Sequence, residues 1–80
     1  MDRITVNESV MVTLHNKDEN GQEYESPIRV NTAVIACYYD FTEADGSRST
    51  CVVLTVGRKL IVRESAEEID LLIYTLRLTR

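Results

Sequence analysis

The chain has 80 residues, a formal net charge of −4, one histidine, two cysteines and no tryptophan. That length allows a single domain spanning 1–80 and excludes a cofactor domain set beside a substrate domain. The acidic balance argues against general nucleic-acid binding, which needs clustered Lys and Arg to displace counterions, and two cysteines with one histidine give neither a disulfide framework nor a zinc set.

Apolar residues at 44% and charged residues at 28% describe a globular chain rather than a disordered one. The longest uncharged stretch runs from Val30 to Tyr39, far short of the roughly 20 apolar residues of a membrane-spanning helix. Acidic residues near Met1 and the missing apolar run after them predict no signal peptide. The expectation is a cytoplasmic protein (host cytoplasm if phage-encoded) with reduced thiols and no membrane span.

The first element is a strand over about 10–15, where Val10, Val12 and Leu14 alternate with other residues. Asn16 to Glu23 is polar, contains Asn20-Gly21, and reads as a hairpin tip. Asp18, Glu19, Glu23 and Glu25 surround this tip without the spacing of a calcium loop. The returning strand, about 24–30, contains Pro27, which cannot donate to a ladder, so this strand belongs at a sheet edge.

Strands follow at about 34–42 and 49–56, separated by Ala44-Asp45-Gly46-Ser47. A two-residue turn closed on Asp45-Gly46 sets Glu43 opposite Arg48, Tyr39 opposite Val52, Cys37 opposite Leu54 and Ile35 opposite Val56. Tyr38 then faces Val53, Asp40 faces Cys51, and Ala36 faces Thr55. Cys37 and Cys51 fall on opposite faces, against an intramolecular disulfide, and both read as inert thiols in apolar strands. A Gly57-Arg58 turn leads to a strand at about 59–63, whose register depends on whether the loop has two residues or a bulged three.

The chain closes with a helix over about 66–78. Ser65-Ala66-Glu67-Glu68 is a capping-box sequence, acids occupy the first turn, and Arg77 and Arg80 suit the last. Ile69, Leu72, Ile73 and Leu76 form an apolar stripe at i, i+3, i+4, i+7. The predicted fold is therefore mainly β (α+β): about five antiparallel strands, as a curved meander or small barrel, with one C-terminal helix.

Leu71, Tyr74 and Leu78 make a second stripe on the opposite side of the helix, and the sheet likewise carries apolar residues on both faces. One helix cannot cover two sheet faces and its own outer side. Either the sheet curls into a barrel and leaves ordinary surface scatter, or the surplus faces bury against a partner. We favour the second, a homo-oligomer with interface residues Leu71, Tyr74, Leu78, Tyr38 and Val53.

The chemical inventory predicts no catalytic set, cofactor or metal. His15 reads as an edge residue rather than a base. Asp40, between Tyr39 and Phe41, reads as an exposed strand end or as a ligand-binding carboxylate. Arg58, Lys59 and Arg63 read as a solvated turn or as a contact for an anion or nucleotide phosphate, with Tyr38, Tyr39 or Tyr74 able to stack a base beside it and Asp40 a further candidate ligand-binding group. Two functions follow. The first is a non-catalytic, oligomeric protein-interaction module. The second is a phage-encoded ligand-binding protein that sequesters a nucleotide signal or inhibits a host defence enzyme.

Residues Asn31 to Ile73 carry a further pattern: Leu54-Thr55-Val56-Gly57, then Lys59-Leu60-Ile61-Val62-Arg63-Glu64-Ser65, then Glu67-Glu68-Ile69. This order resembles the FlbD-like family of small flagellar and swarming-motility proteins. The resemblance implies a compact strand–helix fold and a non-enzymatic accessory or regulatory role in a bacterial or phage setting. The Asn16–Glu23 hairpin and the Asp45-Gly46 arm are longer than that family's usual form. The layout is also similar to dimeric RNA-binding regulators of the CsrA type, but no basic strip lies along one strand.

Overall fold

A computed structural model describes residues 8–78 except Asp18, and the backbone alone of Lys17. Residues 1–7, Asp18 and Arg80, which carry sequence expectations, lie outside the described residues. Five strands and a helix follow in chain order: β1 (Ser9–Lys17), β2 (Glu23–Asn31), β3 (Ile35–Thr42), β4 (Arg48–Leu54), β5 (Lys59–Val62) and α1 (Ala66–Leu78). A 3-10 turn over Thr32–Val34 joins β2 to β3, with the Asn31 side chain accepting from the Ala33 N–H at 2.8 Å.

The strands form one open antiparallel sheet in the order β2-β1-β5-β4-β3. β2 lies at an edge, where Pro27 costs no interior ladder bond. The curved meander, rather than a closed barrel, is the form adopted. β3, β4 and β5 are consecutive neighbours, whereas the β1–β2 hairpin joins them through β5. That join is short. Leu14 pairs with Val62, and the Arg63 N–H donates to the Thr13 carbonyl at 3.0 Å. Beyond this the Glu64 carboxylate takes the place of a strand, accepting from the Thr13 N–H at 2.7 Å and the Thr13 hydroxyl at 2.9 Å.

The β3–β4 register corrects the expectation by one residue. Tyr38 pairs with Val52, Tyr39 with Cys51, Asp40 with Thr50, Cys37 with Val53 and Thr42 with Arg48. The cause is the loop. The Glu43 N–H donates to the Ser47 carbonyl at 2.8 Å and the Gly46 N–H to the Glu43 carbonyl at 2.9 Å, so three residues, Ala44-Asp45-Gly46, are enclosed. Gly46 has φ +90°, the left-handed position that ends a bulged three-residue hairpin loop. The β4–β5 loop repeats this around Thr55-Val56-Gly57: the Leu54 N–H donates to Arg58 O, the Gly57 N–H to Leu54 O, and Gly57 has φ +95°. The bulged alternative is thus the one used, placing Leu60 opposite Val52 and Val62 opposite Thr50.

A one-residue slip exchanges partners between faces. Tyr38 does not face Val53, and Glu43 does not pair with Arg48: the Ser49 hydroxyl donates to Glu43 instead. Ile35 meets Leu54 after a bulge that sets Ala36 aside. Since 37 and 39 share a side, Cys37 and Cys51 stand on the same face as diagonal neighbours, not on opposite faces. Both are free thiols; Cys51 is buried, and Cys37 is exposed rather than buried.

The core lies on the helix side of the sheet. Val10, Val12, Val30, Val52, Val62 and Ile69 are buried together, with Leu14, Ile28, Ile35, Tyr38, Leu54, Leu60, Ile73 and Leu76 packed around them. Val62 is fully enclosed and Ile69 is 1% exposed, so the predicted inner stripe of α1 faces inward, with Leu72 at its margin. The capping box forms as predicted: the Glu68 N–H donates to Ser65 Oγ at 3.1 Å, and the Ser65 N–H to Glu68 Oε1 at 2.8 Å.

Ile69→Ala is expected to destabilise the fold by about 2–5 kcal/mol through transfer and cavity terms. Ser65→Ala should cost about 1 kcal/mol through loss of the cap, and exposed Thr75→Ala should stay within about 0.5 kcal/mol. Urea unfolding followed by circular dichroism measures all three; equal costs at Ile69 and Thr75 would contradict the assignment of the buried helix face.

Candidate functional site

The strand that carries the sequence's oddest charge also anchors the helix. Tyr38 and Asp40 are two apart on β3, so both point to the helix side. Asp40 Oδ1 accepts from the Ala66 N–H at 2.9 Å and from the Thr50 hydroxyl at 2.7 Å. The first four N–H groups of a helix lack intrahelical partners, and Asp40 satisfies one of them from across the sheet. Its carboxyl is held below the ordinary aspartate value, first by the Ala66 N–H, then by the Thr50 hydroxyl, with Arg48 adding attraction. Asp40 therefore works as a helix anchor.

Tyr38 makes the second attachment. Its hydroxyl donates to Asp70 Oδ1 one turn further along α1. That hydrogen bond is the main cause pushing Tyr38 up to about 12, with partial burial and the Asp70 charge adding and Arg77 opposing. In the β3–β4 loop, the Ser47 hydroxyl and N–H donate to Asp45 and hold its carboxyl below the ordinary value.

The residues expected to form an anion contact are not brought together. Arg58 and Lys59 sit at the start of the four-residue β5, and Arg63 lies past its far end, roughly 13 Å away at about 3.3 Å per residue. Arg63 Nε donates to Glu25 Oε2 at 2.6 Å as a salt bridge. Tyr39 is next to Asp40 but points to the other face, where a hydrogen bond with Cys51 raises its hydroxyl above the ordinary tyrosine value. The basic side chain found beside Arg63 is instead Arg48. The two line a recess of about 350 Å³ with Asp40, Ser65 and Glu67 at the start of α1. Arg48 lies 3.8 Å from Asp40, and the two acids offset the recess's positive charge.

His15, expected as an edge residue, is instead nearly enclosed on β1, an inner strand between β2 and β5. Its Nε2 lies 3.3 Å from Glu23 Oε1, and its Nδ1 is buried with no hydrogen-bond partner among the described residues.

The expected interface residues do come together on the helix, though not all of them. Leu71, Tyr74 and Leu78 are 59%, 60% and 65% exposed along the outer side of α1. Tyr38 borders this surface: with Asp70, Leu71, Ile73, Tyr74 and Arg77 it lines a groove of about 440 Å³ between α1 and β3. Val53 is separate, being half-buried on the opposite face with Cys37 and Tyr39. Asp70 and Arg77, which flank the exposed stripe, were not among the expected site residues. Their spacing of seven, two helical turns, is the sequence signal that marks them.

Among the described residues, no helix is long and apolar enough to cross a membrane. Comparison of the chain with protein-family models, curated proteins and solved structures finds no match.

The two anchors have opposite pH signatures. Asp40 has a folded value below its unfolded one, so its contribution is complete above pH about 4 and is lost as pH falls through the lowered folded value. Asp40→Asn should flatten the fall in thermal midpoint below pH about 4; an unchanged slope would contradict the anchor. Tyr38 has a raised value, so its contribution is complete below pH about 10 and is lost as pH climbs towards about 12. Tyr38→Phe should remove a tyrosinate absorbance step near pH 12, and Asp70→Asn should move that step to lower pH.

Proposed function

We propose that the protein is a non-catalytic interaction module that works as an oligomer through the outer side of α1. It fits a small accessory or regulatory protein of bacterial or phage origin, the role that the FlbD-like resemblance implies. The observation that carries this reading is the row of Leu71, Tyr74 and Leu78, all well over half exposed on one side of a helix whose other side is committed to the core. Contiguous apolar surface on a small protein is a frequent mark of an interface, and a rigid aromatic such as Tyr74 is an effective anchor in one.

Two groups that could carry chemistry have structural work. Asp40 is spent on the Ala66 N–H and the Thr50 hydroxyl, and the Cys51 thiol is buried in the central part of β4.

Size exclusion with light scattering is expected to give a mass of at least two chains. Leu71→Glu combined with Tyr74→Glu should lower that mass while leaving the circular dichroism spectrum unchanged. A monomer at every concentration tested would overturn the proposal.

A further inference from the structure

Leu71, Tyr74 and Leu78 follow Glu67 at spacings of four, three and four. This is the seam spacing of paired helices, in which residues three and four apart fall on one line. Asp70 and Arg77 lie one seven-residue repeat apart, so both stand on the same flank of that seam, beside the groove that α1 makes with β3. The charge pattern along this flank selects a partner and an orientation.

When two identical helices pack antiparallel about a two-fold axis, each flank meets the same flank of the other helix. Aligning the seam sets Leu71 against Tyr74 of the second copy, and Glu67 against its Leu78. In that alignment Asp70 and Arg77 of the opposite copy lie two residues out of level, about 3 Å along the axis, within reach of an arginine side chain. The pair occurs twice by symmetry. A parallel pair instead sets Glu67 against Glu67 and turns Asp70 toward the opposite flank, which carries Glu68. The helix dipoles also favour the antiparallel arrangement.

We infer that a second copy of this chain docks on the outer side of α1, helix antiparallel to helix, with Asp70 of each copy paired to Arg77 of the other. This rests on the reading of α1 as the oligomer surface and adds the occupant and its direction. The contact is short: 13 residues at 1.5 Å rise make a seam of about 20 Å, which belongs with small, reversible interfaces rather than with large obligate ones. The Asp70 carboxylate accepts the Tyr38 hydroxyl on one oxygen and has lone pairs left for a guanidinium.

Sedimentation equilibrium of the full chain, run from low to high micromolar concentration, tests this. Asp70→Lys alone and Arg77→Glu alone each place like charges across the seam and are expected to weaken the dimer by about tenfold. The double variant Asp70→Lys/Arg77→Glu restores the pairing in reverse and should return the dimer close to the wild-type affinity. Arg77→Glu leaves the Tyr38–Asp70 hydrogen bond in place, so it remains informative if Asp70→Lys fails to fold. Raising the salt should strengthen the Arg77→Glu dimer and weaken the wild type, because screening acts on repulsion and attraction alike. A double variant as weak as either single, or an Arg77→Glu dimer unaffected by salt, overturns the antiparallel pairing. If those results appear while Leu71→Glu/Tyr74→Glu still dissociates the oligomer, the α1 surface stands and only its geometry falls. If no variant changes the mass, both fall.

Discussion

The two halves of the sheet, β2–β1 and β5–β4–β3, are joined where β1 meets β5, and Glu64 secures that meeting. The ladder there is brief, so the Thr13 amide would face the end of β5 without a strand partner. The Glu64 carboxylate receives both that amide and the Thr13 hydroxyl. Bonds to a charged acceptor are the stronger kind, about 1.5–3 kcal/mol against roughly 1 for a neutral pair. Val62, fully enclosed, lies two residues before Glu64, and the capping Ser65 lies one residue after it. Within four residues the chain closes the core, clasps the first hairpin and starts the helix.

Helix placement then depends on β3, the strand at the far edge of the sheet. An amphipathic helix on an apolar face can slide and rotate, because burial is non-directional. Two directional contacts remove that freedom: Asp40 fixes the first turn through the Ala66 N–H, and Tyr38 fixes the next through Asp70. With the core face of α1 held this way, Leu71, Tyr74 and Leu78 must point outward. The exposed stripe is thus a consequence of the polar anchors as much as of the apolar core.

What could be read from the chain divides by distance along it. The five strands, the helix limits and the capping box all rest on neighbouring residues, and each appears close to where periodicity and turn chemistry put it. Pro27 located an edge strand because the missing N–H is itself a local property. Register was lost at Asp45-Gly46, where a two-residue turn and a bulged three-residue loop share the same residues. That single difference reversed the relation of Cys37 to Cys51 and parted Tyr38 from Val53. The Thr13–Glu64 clasp joins residues 51 apart, and the Asp40 cap joins residues 26 apart. Nothing in either local pattern announces such a pairing. Arg58, Lys59 and Arg63 looked like one cluster because sequence proximity conceals how far a short extended strand carries its ends apart. The helix stripe was legible, since 3.6-residue periodicity places it; the flanking charges matter only once a second helix is imagined beside it.

The two edges of the sheet bear on how the molecule can and cannot assemble. An open sheet invites endless growth, because each free edge is a template for another strand. Here β2 offers a row of donors interrupted at Pro27, and β3 is put out of step by the bulge at Ala36. A strand added to β2 would meet a missing donor at Pro27, and one added to β3 would find a regular stretch only from Cys37 to Thr42. Both edges shorten the ladder that an added strand could form, which shifts the balance of recognition between molecules from backbone pairing toward side chains.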